Sequence, residues 1–189
     1  KIAEEFGEMN FIESGVSGPI ILTLSRIVVP YLLEKKEMYL HIDLKPALSY
    51  EKLNNRLIRE FDSKGKLTYR TILNSLLPRQ LIPVCVRELK IPSNKLGHQI
   101  DASERKRLLN WLKDFRLKIT GFRNYDEAII TAGGISTKEV DQKNMESKLI
   151  KGLYFTGEIL DIDGPTGGYN LQIAFSTGWI AGEFAAREN

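Results

Sequence analysis

The sequence contains a single cysteine, Cys85, so no disulfide can form within the chain. Cys85 lies in the apolar run 81–86, which predicts a buried and chemically inert thiol. The absence of disulfides favours a reducing compartment, and we therefore expect a cytoplasmic location. An excess of charge is lacking as well, because 27 basic and 24 acidic residues leave a formal net charge of only +3. That value predicts no polyanion partner, so nucleic acid is not expected to bind.

Long apolar runs and clusters of metal ligands are also missing. The most apolar stretch, 19–33, is interrupted by an arginine and a proline and does not have the length of a membrane span, so no membrane partner is expected. His41 and His98 have no ligand companions in the sequence, and each is predicted to be a surface or hydrogen-bonded histidine. Asp161 and Asp163 alone are too few carboxylates for a calcium site, so no metal is expected.

Hydrophobic periodicity predicts strands on either side of a helical block. Residues 38–44 alternate between apolar and polar side chains, which indicates a half-buried strand. Between residues 49 and 116, apolar positions recur every three or four residues, as in short amphipathic helices. Asp101 followed by Glu104 has the pattern of a capping box at the start of one of these helices. Strand-like residues return in 117–135. We therefore predict an α+β fold, in which an all-helical subdomain is inserted into a strand or barrel region.

The same patterns predict the bounds of individual elements. A loop of small residues is predicted over 13–19, followed by a helix over 20–33 that Pro30 kinks or ends. A further helix is predicted over 69–77, and a short strand over 128–132.

Residues 153–170 have the pattern of a binding site. A short apolar strand, 153–156, leads into a loop with four glycines and then into a helix that starts near Tyr169 or Asn170. Glycines let the backbone approach a ligand closely, and the first helical N–H groups are unpaired donors at the positive end of the helix dipole. A glycine pair on its own is more often a simple turn, but two aspartates and four glycines in one connection favour a site for a partly anionic group.

Three stretches resemble a family of bacterial NAD(P)/FAD-dependent oxidoreductases, the aminoacetone-oxidase-family flavoproteins. The segment 152–172 begins with Gly-Leu-Tyr-Phe-Thr-Gly-Glu and ends with Gly-Gly-Tyr-Asn-Leu-Gln, and it resembles the C-terminal FAD-contacting segment of that family. Residues 7–19 resemble the family's Gly-Glu-x-x-Phe-Thr-His-x-Gly-x-Ser-Gly-Pro stretch, and residues 131–136 resemble its Thr-x-Gly-Gly-Val segment. The matches span nearly the whole chain in the family's order.

The resemblance implies a flavin enzyme with an inserted domain. Residues 1–48, 49–116 and 117–135 would be the strand or barrel part, the helical subdomain and the returning strands of the insert. Residues 136–189 would be the C-terminal strand-loop-helix of a Rossmann-like FAD domain. NADH or NADPH would supply electrons and the substrate would be an unknown small molecule, while the catalytic residues stay unassigned.

The resemblance also implies which residues contact FAD. Gly157 and Glu158, with Asp161 in the same loop, would lie near the ribityl chain and pyrophosphate; Gly167, Gly168, Tyr169 and Asn170 would lie against the isoalloxazine ring, and Gly133 and Gly134 would border its other side. Reduced flavin carries negative charge near its N1 and O2 edge. A helix N-terminus aimed at that edge would stabilise the charge.

Two departures from the family pattern change what the resemblance implies. Glu13 stands where the family commonly has the histidine of Phe-Thr-His, so any role of that histidine is absent or moved. No Gly-x-Gly-x-x-Gly fingerprint occurs, although the family's N-terminal half holds the FAD pyrophosphate with one. The chain is therefore expected to be a C-terminal fragment that is inactive alone, with an uncovered face that favours self-association.

A binding module is the alternative from a different functional class. Arg105, Lys106 and Arg107 form a basic cluster on the predicted helical block, together with Lys113 and Arg116. Such a face would dock on nucleic acid or on another protein. This alternative gives residues 136–189 no purpose, so the enzyme is the preferred interpretation.

Overall fold

A computed structural model describes residues 1–34 and 36–187 of the chain. The first elements of the chain are a short hairpin and a long helix. Strand β1 (Asn10–Ile12) pairs antiparallel with β2 (Gly15–Ser17), and β2 lies within the stretch 13–19 for which the sequence predicts a loop. Helix α1 (Pro19–Leu33) confirms the helix predicted over 20–33. The helix can begin on a proline because an N–H group in the first turn of a helix has no acceptor within the helix, and proline has no N–H group to leave unpaired. Pro30 lies inside α1 and does not end it.

Strands β3 and β4 flank a block of four helices. β3 (Met38–Ile42) pairs antiparallel with β4 (Phe115–Ile119), so that Met38 lies opposite Ile119. Between them come α2 (Tyr50–Ser63), α3 (Tyr69–Leu73), α4 (Ile82–Leu89) and α5 (Ala102–Lys113). Residues 37–119 form one compact unit, which we call the helical unit. The prediction of a helical block inserted between paired strands is confirmed.

Capping residues and apolar stripes explain where these helices form. The Oγ of Ser49 accepts a hydrogen bond from the N–H of Lys52 at the start of α2, and Asp101 and Glu104 form the predicted capping box of α5. Side chains from all four helices share one core, in which the following have no exposed surface: Leu53, Leu57, Tyr69, Ile72, Leu73, Cys85, Leu108 and Leu112. This core makes the helical unit the best-packed part of the chain.

Helix α3 is shorter than the sequence predicts. It ends at Leu73, whereas the apolar spacing predicts a helix that extends through Leu77. Leu76 and Leu77 are still buried, because the chain leaves the helix in a tight turn in which the N–H of Leu76 donates to the carbonyl of Leu73. Phe115 lies in the stretch 49–116 whose apolar spacing predicts helices, but it is buried in β4 and is not part of α5.

The second unit comprises residues 1–36 and 120–189 and contains the long helix α6 (Tyr169–Arg187). Among its described residues few are buried: Val140, Met145, Leu160 and Ala181. In the described part of the chain, six helices and two separate two-stranded sheets confirm the α+β class. Of these six helices, none is both long enough and apolar enough to cross a membrane. The domain boundaries predicted after residues 48, 116 and 135 stay predictions, and Lys35 and residues 188–189 lie outside the described residues.

The strands predicted over 128–132 and 153–156 are wrong. Residues 128–132 form bends and irregular chain, and in 153–156 only Tyr154 makes a single bridge, to Glu146. Both stretches border glycines with positive φ, at Gly133 on one side and at Gly152 and Gly157 on the other. Backbone in that conformation ends the extended run at these glycines, and neither stretch pairs as a ladder with another strand among the described residues.

Candidate functional site

Residues 131–135 and 157–161 run side by side. The N–H of Ile135 donates to the carbonyl of Ile159, and the N–H of Asp161 donates to the carbonyl of Ile135, both at 2.8 Å. Ile135 and Leu160 form a parallel bridge. Two of the stretches that the resemblance implies in FAD binding are therefore in direct contact.

Gly134 allows this close approach. Its φ is 137°, and a Cβ at this position would overlap the carbonyl oxygen of Ile159. Only glycine satisfies both conditions. Gly133, with a φ of 102°, differs because a Cβ there would meet no atom within 4 Å. Gly134 is thus packed against the 157–161 segment, whereas Gly133 is open on the side where a Cβ would lie.

Glu158 is held in place by Thr131. Its Oε1 accepts hydrogen bonds from the N–H of Thr131 at 2.8 Å and from the Thr131 hydroxyl at 2.9 Å. Both bonds favour the ionised carboxylate, and they lower the pKa of Glu158. The side chain therefore carries a negative charge at neutral pH. Thr131 is the first residue of the recognised 131–136 stretch, but the sequence predicts no role for it.

The turn at 157–159 packs on α6. The N–H of Gly157 donates to the hydroxyl of Thr177 at 3.0 Å, and that hydroxyl donates to the carbonyl of Ile173 at 2.7 Å. Gly157 has a φ of 69°, and a Cβ there would lie 3.7 Å from the Cβ of Ala174. Nothing in the sequence marks Thr177, because a threonine in an apolar helix usually bonds to its own backbone.

Asn170 closes the loop that precedes α6. Its Oδ1 accepts from the N–H of Gly164 at 2.6 Å, and its Nδ2 donates to the carbonyl of Gly164 at 3.0 Å. Asp163, in the same loop, forms an ion pair with Arg26 of α1. The side chain of Asp161 is exposed and has no hydrogen-bond or ion-pair partner within residues 1–34 and 36–187.

The start of α6 presents free hydrogen-bond donors. Gly168 has a φ of 88°, and its carbonyl accepts the first helical hydrogen bond from the N–H of Gln172 at 3.0 Å. Among the described residues, the N–H groups of Tyr169, Asn170 and Leu171 have no acceptor. Three such donors at the positive end of a helix can bind an anionic or electron-rich group.

The predicted site residues differ in whether they already make contacts within the protein. Four are engaged in contacts within their own unit, namely Gly134, Gly157, Glu158 and Asn170, and a Cβ at a fifth, Gly167, would lie 3.5 Å from the ring of Tyr169. The other four present open backbone or exposed side chains: Gly133, Asp161, Gly168 and Tyr169. The open residues are the ones that a ligand can reach.

Both histidines are hydrogen-bonded within the protein. Nδ1 of His41 lies 2.7 Å from Oδ1 of Asp114, and Nδ1 of His98 lies 2.7 Å from the carbonyl oxygen of Gly65. Both are exposed, hydrogen-bonded histidines, as the sequence predicts. In the part of the chain that the structure describes, no three histidine, cysteine, aspartate or glutamate side chains are placed to share a metal ion.

The fold is that of an α+β domain with a helical block inserted between two paired strands. Residues 1–130 match the family described as HI0933-like protein barrel and H2TH domain. The chain therefore belongs to the HI0933-like family.

Three curated relatives are similar along most of the chain. The 3-dehydro-bile acid delta(4,6)-reductase of Clostridium scindens is 34% identical over 185 residues, or 98% of this chain. The ribosomal RNA dihydrouridine synthases of Haemophilus influenzae and Escherichia coli are 32% and 30% identical, over 97% and 92% of this chain. The chain spans less than half the length of these relatives, namely 45%, 43% and 41%. Each relative is named as an enzyme.

Proposed function

We propose that the chain is the C-terminal part of a FAD-dependent oxidoreductase that takes electrons from NADH or NADPH and is inactive without an N-terminal FAD-binding half. In this proposal, residues 136–189 complete a Rossmann-like FAD domain with their loop and helix α6. The stretches 131–135 and 157–170 contact the cofactor.

The start of α6 is the observation that carries the proposal. The free N–H groups of residues 169–171 directly follow Gly168, where a Cβ would meet no atom within 4 Å. A flat ring system with an electron-rich edge needs both open space and donors. This combination therefore fits the N1 and O2 edge of a flavin better than it fits a simple turn.

Other residues of the site have properties that suit the rest of the cofactor. The carboxylate of Glu158, oriented by Thr131, would accept a hydrogen bond from a ribityl or ribose hydroxyl. The open face of Gly133 would admit the ring from the other side. FAD, when bound, would carry hydride between the nicotinamide and the substrate. We assign no catalytic residue, since Glu13 stands at the family's histidine position.

An apolar row on α6 supports the C-terminal assignment. Leu171, Phe175 and Trp179 recur every four residues, and they are 63%, 70% and 78% exposed. A row of large apolar side chains on one helix face requires a covering surface. In a Rossmann-like domain, a parallel sheet provides that surface. The N-terminal half of the proposed enzyme would supply the sheet, and relatives more than twice as long as this chain have the residues for it.

Gly168→Val in the full-length protein tests the cofactor assignment. Valine adds bulk at the proposed ring position and disfavours the φ of 88° that the backbone adopts there. We expect weakened FAD retention or a shifted flavin reduction potential, with an unchanged helical unit by circular dichroism. The measurement is the flavin released per protein on denaturation.

Gly152→Val is the matched control. Gly152 has a φ of 78° and is also open to solvent, so the substitution imposes a similar backbone strain outside the proposed site. The control is expected to keep its flavin. If both variants retain full flavin with unaltered absorbance, the Gly167-Gly168 pair is only a turn and the cofactor assignment fails.

A further inference from the structure

The charge of this chain is divided unevenly between its two units. Residues 37–119 contain 17 lysines and arginines and 9 aspartates and glutamates, a formal charge of +8. The remaining residues contain 10 and 15, a formal charge of −5. The small net charge of the whole chain therefore hides a strongly basic unit, to which the expectation of no polyanion partner does not apply.

Most of the cations of the helical unit belong to no ion pair, although Arg56 donates a hydrogen bond to the carbonyl of Ser75. Five of its nine acidic residues form ion pairs: Glu37, Asp43, Glu60, Glu104 and Asp114. Their partners are five of the 17 cations. Within residues 37–119, all of which the structure describes, the other twelve cations form no ion pair and are opposed by only four unpaired acids.

Three of these cations form a row along one flank of α2. Lys52, Arg56 and Arg59, which we call the α2 row, are separated by four and three residues and so lie on the same side of the helix. The row extends over about 10 Å along the helix axis. Lys45 lies close enough to Arg56 for the two positive charges to repel each other, and burial together with this repulsion lowers the pKa of Lys45. The α2 row is thus a local concentration of positive charge.

The surface of the helical unit is polar as well as basic. Its exposed large apolar side chains are Tyr39, Tyr50 and Leu67, whereas the described part of the other unit exposes 18. Protein-binding surfaces have an apolar centre that is depleted in charge, while nucleic-acid-binding surfaces are polar and positively charged. The composition of this surface therefore favours a nucleic acid over a protein. A small bile acid, the substrate class in the name of the Clostridium relative, requires no such surface.

We propose that the helical unit binds the phosphate backbone of RNA and that the α2 row is a principal contact. RNA is the nucleic acid in the names of two of the three relatives. The purpose of this binding rests on the proposed function, because docking would bring an RNA substrate to the reductase.

The test measures binding of a fluorescein-labelled RNA hairpin to the full-length protein by fluorescence anisotropy. The double variant Lys52→Gln/Arg59→Gln removes two exposed cations that have no ion pair. We expect it to weaken RNA binding about tenfold or more, and to reduce the steepness of the log–log salt dependence by about one to two between about 50 and 200 mM salt. The control Lys143→Gln/Lys151→Gln removes two exposed lysines from the other unit and is expected to bind like the parent protein.

Four results would overturn the proposal: no RNA binding at low salt, equal weakening in both double variants, equally tight binding of a DNA hairpin of the same sequence, or binding of an acidic polyglutamate peptide in place of RNA. Flavin content, measured on the same preparations, separates this proposal from the proposed function. Loss of the flavin assignment would leave RNA binding unchanged, and loss of RNA binding would leave flavin content unchanged. Thermal unfolding should be similar in all variants, because exposed substitutions of this kind change stability little.

Discussion

Burial determines what Cys85 can do chemically. Its side chain has no exposed surface, and its Sγ lies 3.6 Å from the hydroxyl of Tyr69. Burial raises the pKa of the Cys85 thiol to about 11, although the hydrogen bond with Tyr69 acts in the opposite direction. The reactive thiolate is therefore scarce at neutral pH. The prediction that Cys85 is buried is confirmed, and its inertness stays a prediction.

This burial predicts a thiol that reacts only after unfolding. A thiol-specific disulfide reagent should label the native protein very slowly at neutral pH and label one thiol per chain in guanidinium chloride. Cys85→Ala provides the blank. The raised pKa also has a consequence for stability. Burial of the neutral thiol contributes to the free energy of unfolding in full below the usual thiol pKa of 9.0, and this contribution is lost as the pH rises to about 11. Rapid stoichiometric labelling of the native protein would contradict the prediction.

Site residues whose role is carried by the backbone are easier to predict than those that act through a side chain. The resemblance points to Gly134, Gly157 and Gly168, and all three have positive φ. In contrast, the contacts of Thr131 with Glu158 and of Thr177 with Gly157 join residues at least 20 positions apart. Nothing local in the sequence encodes such pairs, because they depend on how the segments pack.

Helices with a cap and a repeated apolar face are predicted well, and short extended segments are not. α5 has both signals and begins at the predicted capping box, and α2 forms within the stretch 49–116 whose apolar spacing predicts helices. The three-residue strands β1 and β2 are too short for an alternating pattern to be recognised. Residues 128–132 have the apolar content of a strand, yet they pair with no other strand among the described residues. A strand depends on a partner that its own sequence does not specify.

The cap of α5 predicts an acid-sensitive helix. The N–H of Glu104 donates to Oδ1 of Asp101 at 2.8 Å, and this bond holds the pKa of Asp101 below its usual value. The stabilisation by the ionised Asp101 is complete above that usual value and is lost as the pH falls through the lowered one. Asp101→Asn keeps an uncharged cap, whereas Asp101→Ala removes it.

We therefore expect guanidinium unfolding midpoints at pH 7 to fall in the order parent, Asp101→Asn, Asp101→Ala. The difference between the parent and Asp101→Asn should be smaller in acid, below the usual aspartate pKa of 3.8, than at pH 7. Asp62→Ala, which removes an exposed carboxylate on α2 that makes no ion pair, is the control. A difference between the parent and Asp101→Asn that is the same at both pH values would show that the charge does not contribute.

Composition averaged over the chain conceals how differently its two units are built. The helical unit has a dense core and few exposed apolar side chains, whereas the described residues of the other unit include only four that are buried and leave large apolar side chains on α6 exposed. A net charge of +3 is likewise the result of a basic unit and an acidic one. The positions of the paired strands and of the inserted helices could be predicted from periodicity. The division of charge and the uncovered face of α6 became visible only once the units were defined.

These 189 residues, expressed alone, should purify without colour and show no saturable binding of FAD. The reason is that the donors at the start of α6 can hold only one edge of the cofactor, while no Gly-x-Gly-x-x-Gly turn is present in the sequence to bind the pyrophosphate. Light scattering should also detect self-association, because Phe175 and Trp179 are left uncovered. Phe175→Ser/Trp179→Ser should reduce that association without changing the helical unit. A yellow protein with stoichiometric flavin would show that the chain needs no N-terminal half to hold FAD. A colourless monomer would show that the α6 row needs no covering surface.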